Sequence, residues 1–303
     1  MKKSVIPGLV LVATLFAASS SATVPLTPIA DGHLVVPVYV DGKGPYPFML
    51  DTGADSSGVY QWFADETKLP TAGASIAISG MSGTVDMKQY RVSSFKLDGR
   101  ELRDVTAYAL PNRHDGAKIA GVIGNDLMDG TVTVFDFPCG QVTVHLKPAD
   151  APAIAGKGPA PIAAKRPADN TLLTIPVSLD GAKGIAVLDT GNRVTKVNLR
   201  FAKAAGLDPD SPDFHPADTI YGVSPTQGMV PKAGPLGSLS IGALRLDGVQ
   251  GEVIDIKTFA EDFGDSPAMQ IGTDLLGRFR LVYEHDANRF WLAPSTCPTP
   301  KSP

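Results

Sequence analysis

The sequence predicts a mostly β protein made of two tandem lobes of one fold, and three observations carry that reading. A set of strings recurs twice in collinear order, glycine (31) and proline (26) make up nearly a fifth of the chain, and 43% of residues are apolar. That composition suits many short strands joined by tight turns rather than disorder. The duplication decides the architecture. Residues 34–42 (LVVPVYVDG) align with 173–181 (LTIPVSLDG) at a shift of 139, so Pro37 falls on Pro176 and Asp41-Gly42 on Asp180-Gly181. Residues 49–53 (MLDTG) match 187–191 (VLDTG) at 138, where Phe63 also meets Phe201 and Leu69 meets Leu207. Residues 122–128 (VIGNDLM) match 270–276 (QIGTDLL) at 148, a register that holds through Val134-Phe135 on Val282-Tyr283 and Val142 on Phe290.

The elements follow in order from the N-terminus. Residues 1–22 read as a signal peptide: Lys2 and Lys3 are basic, residues 5–18 are apolar except for Thr14, and Ser20 and Ala22 are small residues at cleavage-site spacing. The apolar run is too short and interrupted for a membrane span, which needs about 20 residues. No cysteine lies near it, so a lipid-modified start is not indicated. A periplasmic or secreted protein is expected, with no stable membrane insertion after cleavage. Losing Lys2 and Lys3 turns 27 basic against 31 acidic residues into 25 against 31, and the formal charge from −4 to −6. No Lys/Arg cluster is left to hold nucleic acid or anionic lipid.

The first lobe is placed at 23–148. It opens on a hairpin (residues 34–40 and 46–50) with its turn at Asp41-Gly42, followed by a short helix near 61–69. Strands at 75–78 and 90–97, a helical turn from Gly124 and a closing hairpin complete it. The Ala/Pro-rich stretch 149–170 has no clear period and is read as an extended linker. The second lobe, 171–303, repeats the order with a helix at 199–205 and a turn from Gly272. The only cysteines, Cys139 and Cys297, are an even pair without metal-ligand spacing. In an oxidising compartment they pair as a disulfide; two unrelated thiols are the other reading.

The chemistry points to the matching strings around Asp51 and Asp189, where an apolar strand ends on a carboxylate in a glycine turn. A lone Asp-Thr-Gly is most often only a turn. Two at equivalent repeat positions, facing one another, would bring two carboxylates within hydrogen-bonding reach. Like charges that close cannot both ionise, so the pair shares a proton. The ionised member can take a proton from a water, and the protonated one can hydrogen-bond a scissile carbonyl. Neither metal nor cofactor is required.

Residues 50–55 (LDTGAD) and 122–127 (VIGNDL) resemble the signature of retropepsin-like aspartic proteases. The resemblance covers nearly all of the chain after the signal segment and is similar to bacterial exported members with two such units in one polypeptide. It implies two β-barrel lobes forming a pepsin-like pseudo-dimer, a monomer whose units pair within the chain, acting on a peptide or protein. It further implies that Asp51 and Asp189 are catalytic, and that Thr52 and Thr190 hydrogen-bond across the lobe junction. Gly53 and Gly191 would allow the turns, and Gly124 and Gly272 would pack behind them. Flap hairpins would cover the cleft, one at Gly80, Met81 and Ser82, the other at Tyr221 and Gly222.

The chain departs from the pattern in three places. Asn192 replaces a small residue and must either point into a widened space or hydrogen-bond nearby backbone or carboxylate; if it donates to Asp189, it favours that side's ionised form. Arg193 stands where the first copy has Asp55, and Asn125 and Thr273 stand where retroviral members carry an arginine. Other chemistries lack support. His33, His114, His145, His215 and His285 show no paired ligand spacing, and no Gly-x-Ser-x-Gly elbow or phosphate-binding glycine loop occurs. Two functions of different class follow: an active aspartic endopeptidase, or a non-catalytic peptide-binding or assembly protein on the same fold, the latter favoured by Asn192.

Overall fold

The structure, a computed structural model, describes residues 23–80, 82–167, 172–224, 226, 228–255, 263–264 and 266–298. The expected signal segment and Met81 lie outside the described residues.

The first lobe begins with β1 (Thr23–Pro25), β2 (Thr27–Pro28), β3 (Leu34–Val40) and β4 (Lys43–Leu50). Along β3, Val36, Val38 and Val40 are buried and Tyr39 is exposed, the period of a half-buried strand. The Asp41-Gly42 turn has φ of 50° and 73°, and Asp180-Gly181 of 44° and 87°. Positive φ at both positions is the two-residue hairpin geometry that Asp-Gly favours. Next come β5 (Gly58–Tyr60), α1 (Gln61–Thr67), β6 (Ile76–Gly80), β7 (Gly83–Met87), β8 (Gln89–Leu97) and β9 (Arg100–Leu110). The lobe ends with β10 (Gly121–Ile123), α2 (Asn125–Met128), β11 (Thr131–Asp136) and β12 (Gln141–Leu146).

After α3 (Ala151–Ala155) and β13 (Ile162–Ala163), the second lobe runs through β14 (Thr174–Leu179), β15 (Ala182–Leu188), β16 (Lys196–Val197) and α4 (Leu199–Ala204). Then follow β17 (His215–Pro216), β18 (Ile220–Tyr221), β19 (Gly228–Met229), β20 (Lys232–Ile241), β21 (Leu244–Val253) and β22 (Ala268–Ile271). The last elements are α5 (Thr273–Leu276), β23 (Arg280–Glu284) and β24 (Arg289–Ala293).

The two lobes are β-barrels of the same topology. In the first the order β3-β4-β10-β5-β9-β8 closes where β3 pairs with β8; in the second β14-β15-β22-β16-β21-β20 closes where β14 pairs with β20. Even the strand directions repeat: β10 runs parallel to β4 and β22 to β15, and β9 runs parallel to β5 and β21 to β16. Phe63 on α1 and Phe201 on α4, matched by the repeat, each plug a barrel core and are fully buried.

A third sheet joins the lobes in the order β1-β12-β11-β23-β24-β13. At its centre Val134 pairs with Val282, its own repeat equivalent. A residue facing its own counterpart is what a twofold axis through the sheet requires. Cys139, in the β11–β12 turn, is bonded to Cys297 of the C-terminal tail, as expected.

The stretch 149–170 is not extended throughout. Asp150 caps α3 by accepting from the Ala153 amide at 3.2 Å. Ala151 and Ala155 are buried against Val132, Val134, Val282 and Trp291. The apolar face is built largely from alanines, so it gave no clear period. β13 then pairs Ile162 with Phe290, as β1 pairs Val24 with Val142. The duplication therefore reaches into this stretch.

Candidate active site

Each apolar strand delivers a carboxylate to the lobe junction. The last three residues of β4, Phe48, Met49 and Leu50, are buried, and the Asp51 amide donates to Ile123 O at 2.9 Å. Asp189 ends β15 in the same way, its amide donating to Ile271 O at 3.0 Å. The turns are held from behind by glycines on which a methyl would not fit: one on Gly124 would lie 2.7 Å from Ser56 C, and one on Gly272 2.9 Å from Asn192 O.

The two turns lock into each other reciprocally. The Thr52 amide donates to Thr190 Oγ1 at 3.0 Å and the Thr190 amide to Thr52 Oγ1 at 3.1 Å. Thr52 Oγ1 donates to Leu188 O at 2.7 Å, and Thr190 Oγ1 to Leu50 O at 2.6 Å. Both threonines are buried, so these four bonds work away from water. Gly53 and Gly191 complete the junction. Each faces the opposite lobe's aspartate so closely that a methyl would collide with that carboxylate.

Asp51 Oδ1 accepts from the Gly53 amide at 2.7 Å, and the two carboxyls face each other across the glycines closely enough to interact electrostatically. Burial raises the pKa of both. Asp189 is pushed further, well above the ordinary carboxylate range, because the Asp51 charge adds to burial. The pair therefore holds a shared proton at pH values above the ordinary carboxylate range. Of the alternatives open to it, Asn192 takes side-chain partners other than Asp189. The Asn192 side chain accepts from Lys196 Nζ at 2.7 Å and donates to Gln270 Oε1 at 3.4 Å. A buried lysine four residues on engages the amide oxygen.

Asn125 and Thr273 also brace the turns. Asn125 Nδ2 donates to Thr52 O at 3.1 Å, and Thr273 Oγ1 to Asn192 O at 3.3 Å. Arg193 reaches across the lobes to donate to Asp31 O. Sequence reasoning passed over Asp126 and Asp274. Asp126 takes the amide (2.9 Å) and hydroxyl (2.7 Å) of Ser57; Asp274 takes those of Thr195 at 3.0 and 2.7 Å. Their presence in both copies of the Ile-Gly-x-Asp-Leu string was the available signal.

The expected flaps are two-stranded hairpins, β6–β7 and β18–β19, and they meet. Ser82 Oγ accepts the Ser224 amide at 2.9 Å, and a methyl on Gly222 would lie 2.7 Å from Ser82 N. Gly80 packs on Val223, and Tyr221 stacks on His114 with ring centres 3.8 Å apart. Tyr221 and Gly222 line the cleft, whereas Gly80 and Ser82 reach it only through the second hairpin.

That cleft, about 870 Å³, contains both carboxylates. Met49, Tyr60, Leu110 and Val122 line it from the first lobe; Asn192, Lys196, Glu252 and Gln270 line it from the second. Among the described residues no cluster of metal-ligating side chains occurs. A buried and a half-buried carboxyl sharing a proton in such a cleft suit water activation beside a carbonyl acceptor. A family model described as aspartyl protease matches the chain twice, at residues 36–127 and 175–275. No curated protein matches it.

Proposed function

The chain belongs to the aspartyl protease family, matched in two retropepsin-like units over more than half its length, and on that premise we propose that it is an aspartic endopeptidase. The reading rests on one observation above the rest: the reciprocal locking of two Asp-Thr-Gly turns that presses each glycine against the other lobe's carboxylate.

In this mechanism a water lies between the carboxyls. Ionised Asp51 takes its proton as the oxygen attacks the peptide carbonyl carbon. Protonated Asp189 hydrogen-bonds the carbonyl oxygen and stabilises the charge that develops there. The Asp189 proton passes to that oxygen, giving a neutral tetrahedral diol. The diol collapses as one hydroxyl returns a proton to Asp189, the amide nitrogen takes the proton held by Asp51 and the C–N bond breaks, releasing an acid and an amine. No covalent intermediate forms. Export to a periplasm or medium belongs to the same proposal, supported by the leader-like residues 1–22 and by the bonded cysteine pair. The partner is a peptide or protein substrate, met by a monomer.

The mature protein should cut a random peptide library between acidic and neutral pH. Asp51→Asn and Asp189→Asn should each lower kcat by about 10²–10⁴-fold or more while keeping the far-UV CD spectrum. Wild-type turnover in either variant contradicts the assignment.

A further inference from the structure

The lobes share a fold, yet the walls they offer the cleft differ in kind. On the first lobe Met49, Tyr60 and Val122 are buried apolar surface. On the second, Gln270 stands at the repeat position of Val122, Asn192 at that of Ala54 and Lys196 at that of Gly58. The cross-strand partner differs too. Gly58 faces Tyr108, whose ring fills the space a side chain at 58 would need, whereas Lys196 faces Glu252.

Lys196 and Glu252 are 3% and 7% exposed, so a charged pair lies in the cleft wall almost wholly out of water. Such a pair seldom outdoes well-packed apolar side chains in stability, so stability alone does not account for it. Its bonding is also lopsided. Lys196 Nζ is well served, donating to Asn192 Oδ1 at 2.7 Å and Val194 O at 3.0 Å, with Glu252 Oε2 at 3.2 Å. That last contact is an ion pair, and beyond it Glu252 Oε2 is left buried with no hydrogen-bond donor among the described residues. Three carboxyls, Glu252, Asp189 and Asp274, bear on this single ammonium. The wall thus sets carboxylate acceptors around one ammonium that already has other partners.

Resting on the peptidase reading, we propose that Lys196, Glu252, Asn192 and Gln270 form a specificity-determining subsite for a substrate side chain that carries N–H donors (Asn, Gln, Lys or Arg) at one of the two residues flanking the scissile bond. The first-lobe wall takes an apolar side chain at the other. The substrate donor reaches the Glu252 carboxylate, and Lys196 holds that carboxylate in place. The enzyme then reads its substrate directionally, polar on one side of the cut and apolar on the other.

The test is a positional-scanning peptide library, followed by kcat/KM for a matched pair of peptides that differ only in Gln against Leu at the preferred position. Wild type should favour the donor-bearing peptide by about tenfold or more, the worth of one hydrogen bond to a charged group. The double variant Lys196→Met/Glu252→Gln removes both charges together and should bring the ratio to about one. Gln270→Val, which installs the first lobe's residue without touching the ion pair, should lower the ratio even if the double variant folds poorly. A library cut without preference, or a ratio unmoved in folded variants, overturns the subsite and leaves the peptidase standing. A library left uncut overturns the peptidase reading and the subsite with it.

Discussion

Gly53 and Gly191 show what the junction demands of single residues. Neither has a positive φ; each is glycine because the other lobe's carboxylate occupies the space of a side chain. The same crowding governs proton affinity. Burial raises both aspartates, and the Asp51 charge raises Asp189 further, so the folded chain holds its shared proton more tightly than the unfolded one. A raised folded pKa contributes stability that is fully present below the unfolded value near 3.8 and is lost as pH rises through the folded value. Asp189→Asn, neutral and of similar size, removes that penalty. Its Tm should exceed wild type by a few °C at pH 7, with the gap closing toward pH 4. Asp126 and Asp274, also raised by burial, titrate in both proteins and cancel from the difference. A gap that stays constant with pH contradicts the shared proton.

Among the elements, the β11–β12 hairpin is tied to the C-terminal tail by Cys139–Cys297, 158 residues apart in sequence. Closing so long a loop restricts the unfolded chain, by about 2–5 kcal/mol in the chain-entropy view. Cys139→Ser/Cys297→Ser should therefore unfold at lower denaturant, and an unchanged midpoint contradicts this. Some elements were plain in the sequence because local chemistry forces them. The Asp41-Gly42 and Asp180-Gly181 turns require positive φ, and the strands they join alternate inside and out. α3 and β13 were not, because their stability comes from docking on β23 and β24 rather than from their own composition. The Lys196–Glu252 pair was hidden in the same way. Nothing in the two local strings brings positions 56 residues apart together; only the parallel pairing of β16 with β21 does.

At the scale of the whole molecule the lobes are not independent bodies. They share the sheet in which β11 meets β23, and one apolar cluster contains residues of both barrels. Thermal unfolding should therefore give one cooperative transition by calorimetry; two resolved transitions would show lobes that melt separately. The strand order of the shared sheet also sets a timetable for the chain as it is made. β11 ends at Asp136 and its neighbour β23 begins at Arg280. A ribosome adding about 5–20 residues per second needs roughly 7–30 s to cover that interval. Through that interval β11 carries a bare strand edge, and until Asp189 is made Asp51 has no opposite number to share a proton. Under the proposed function, a nascent chain is thus unable to digest its neighbours, or itself, until its second Asp-Thr-Gly turn has been made.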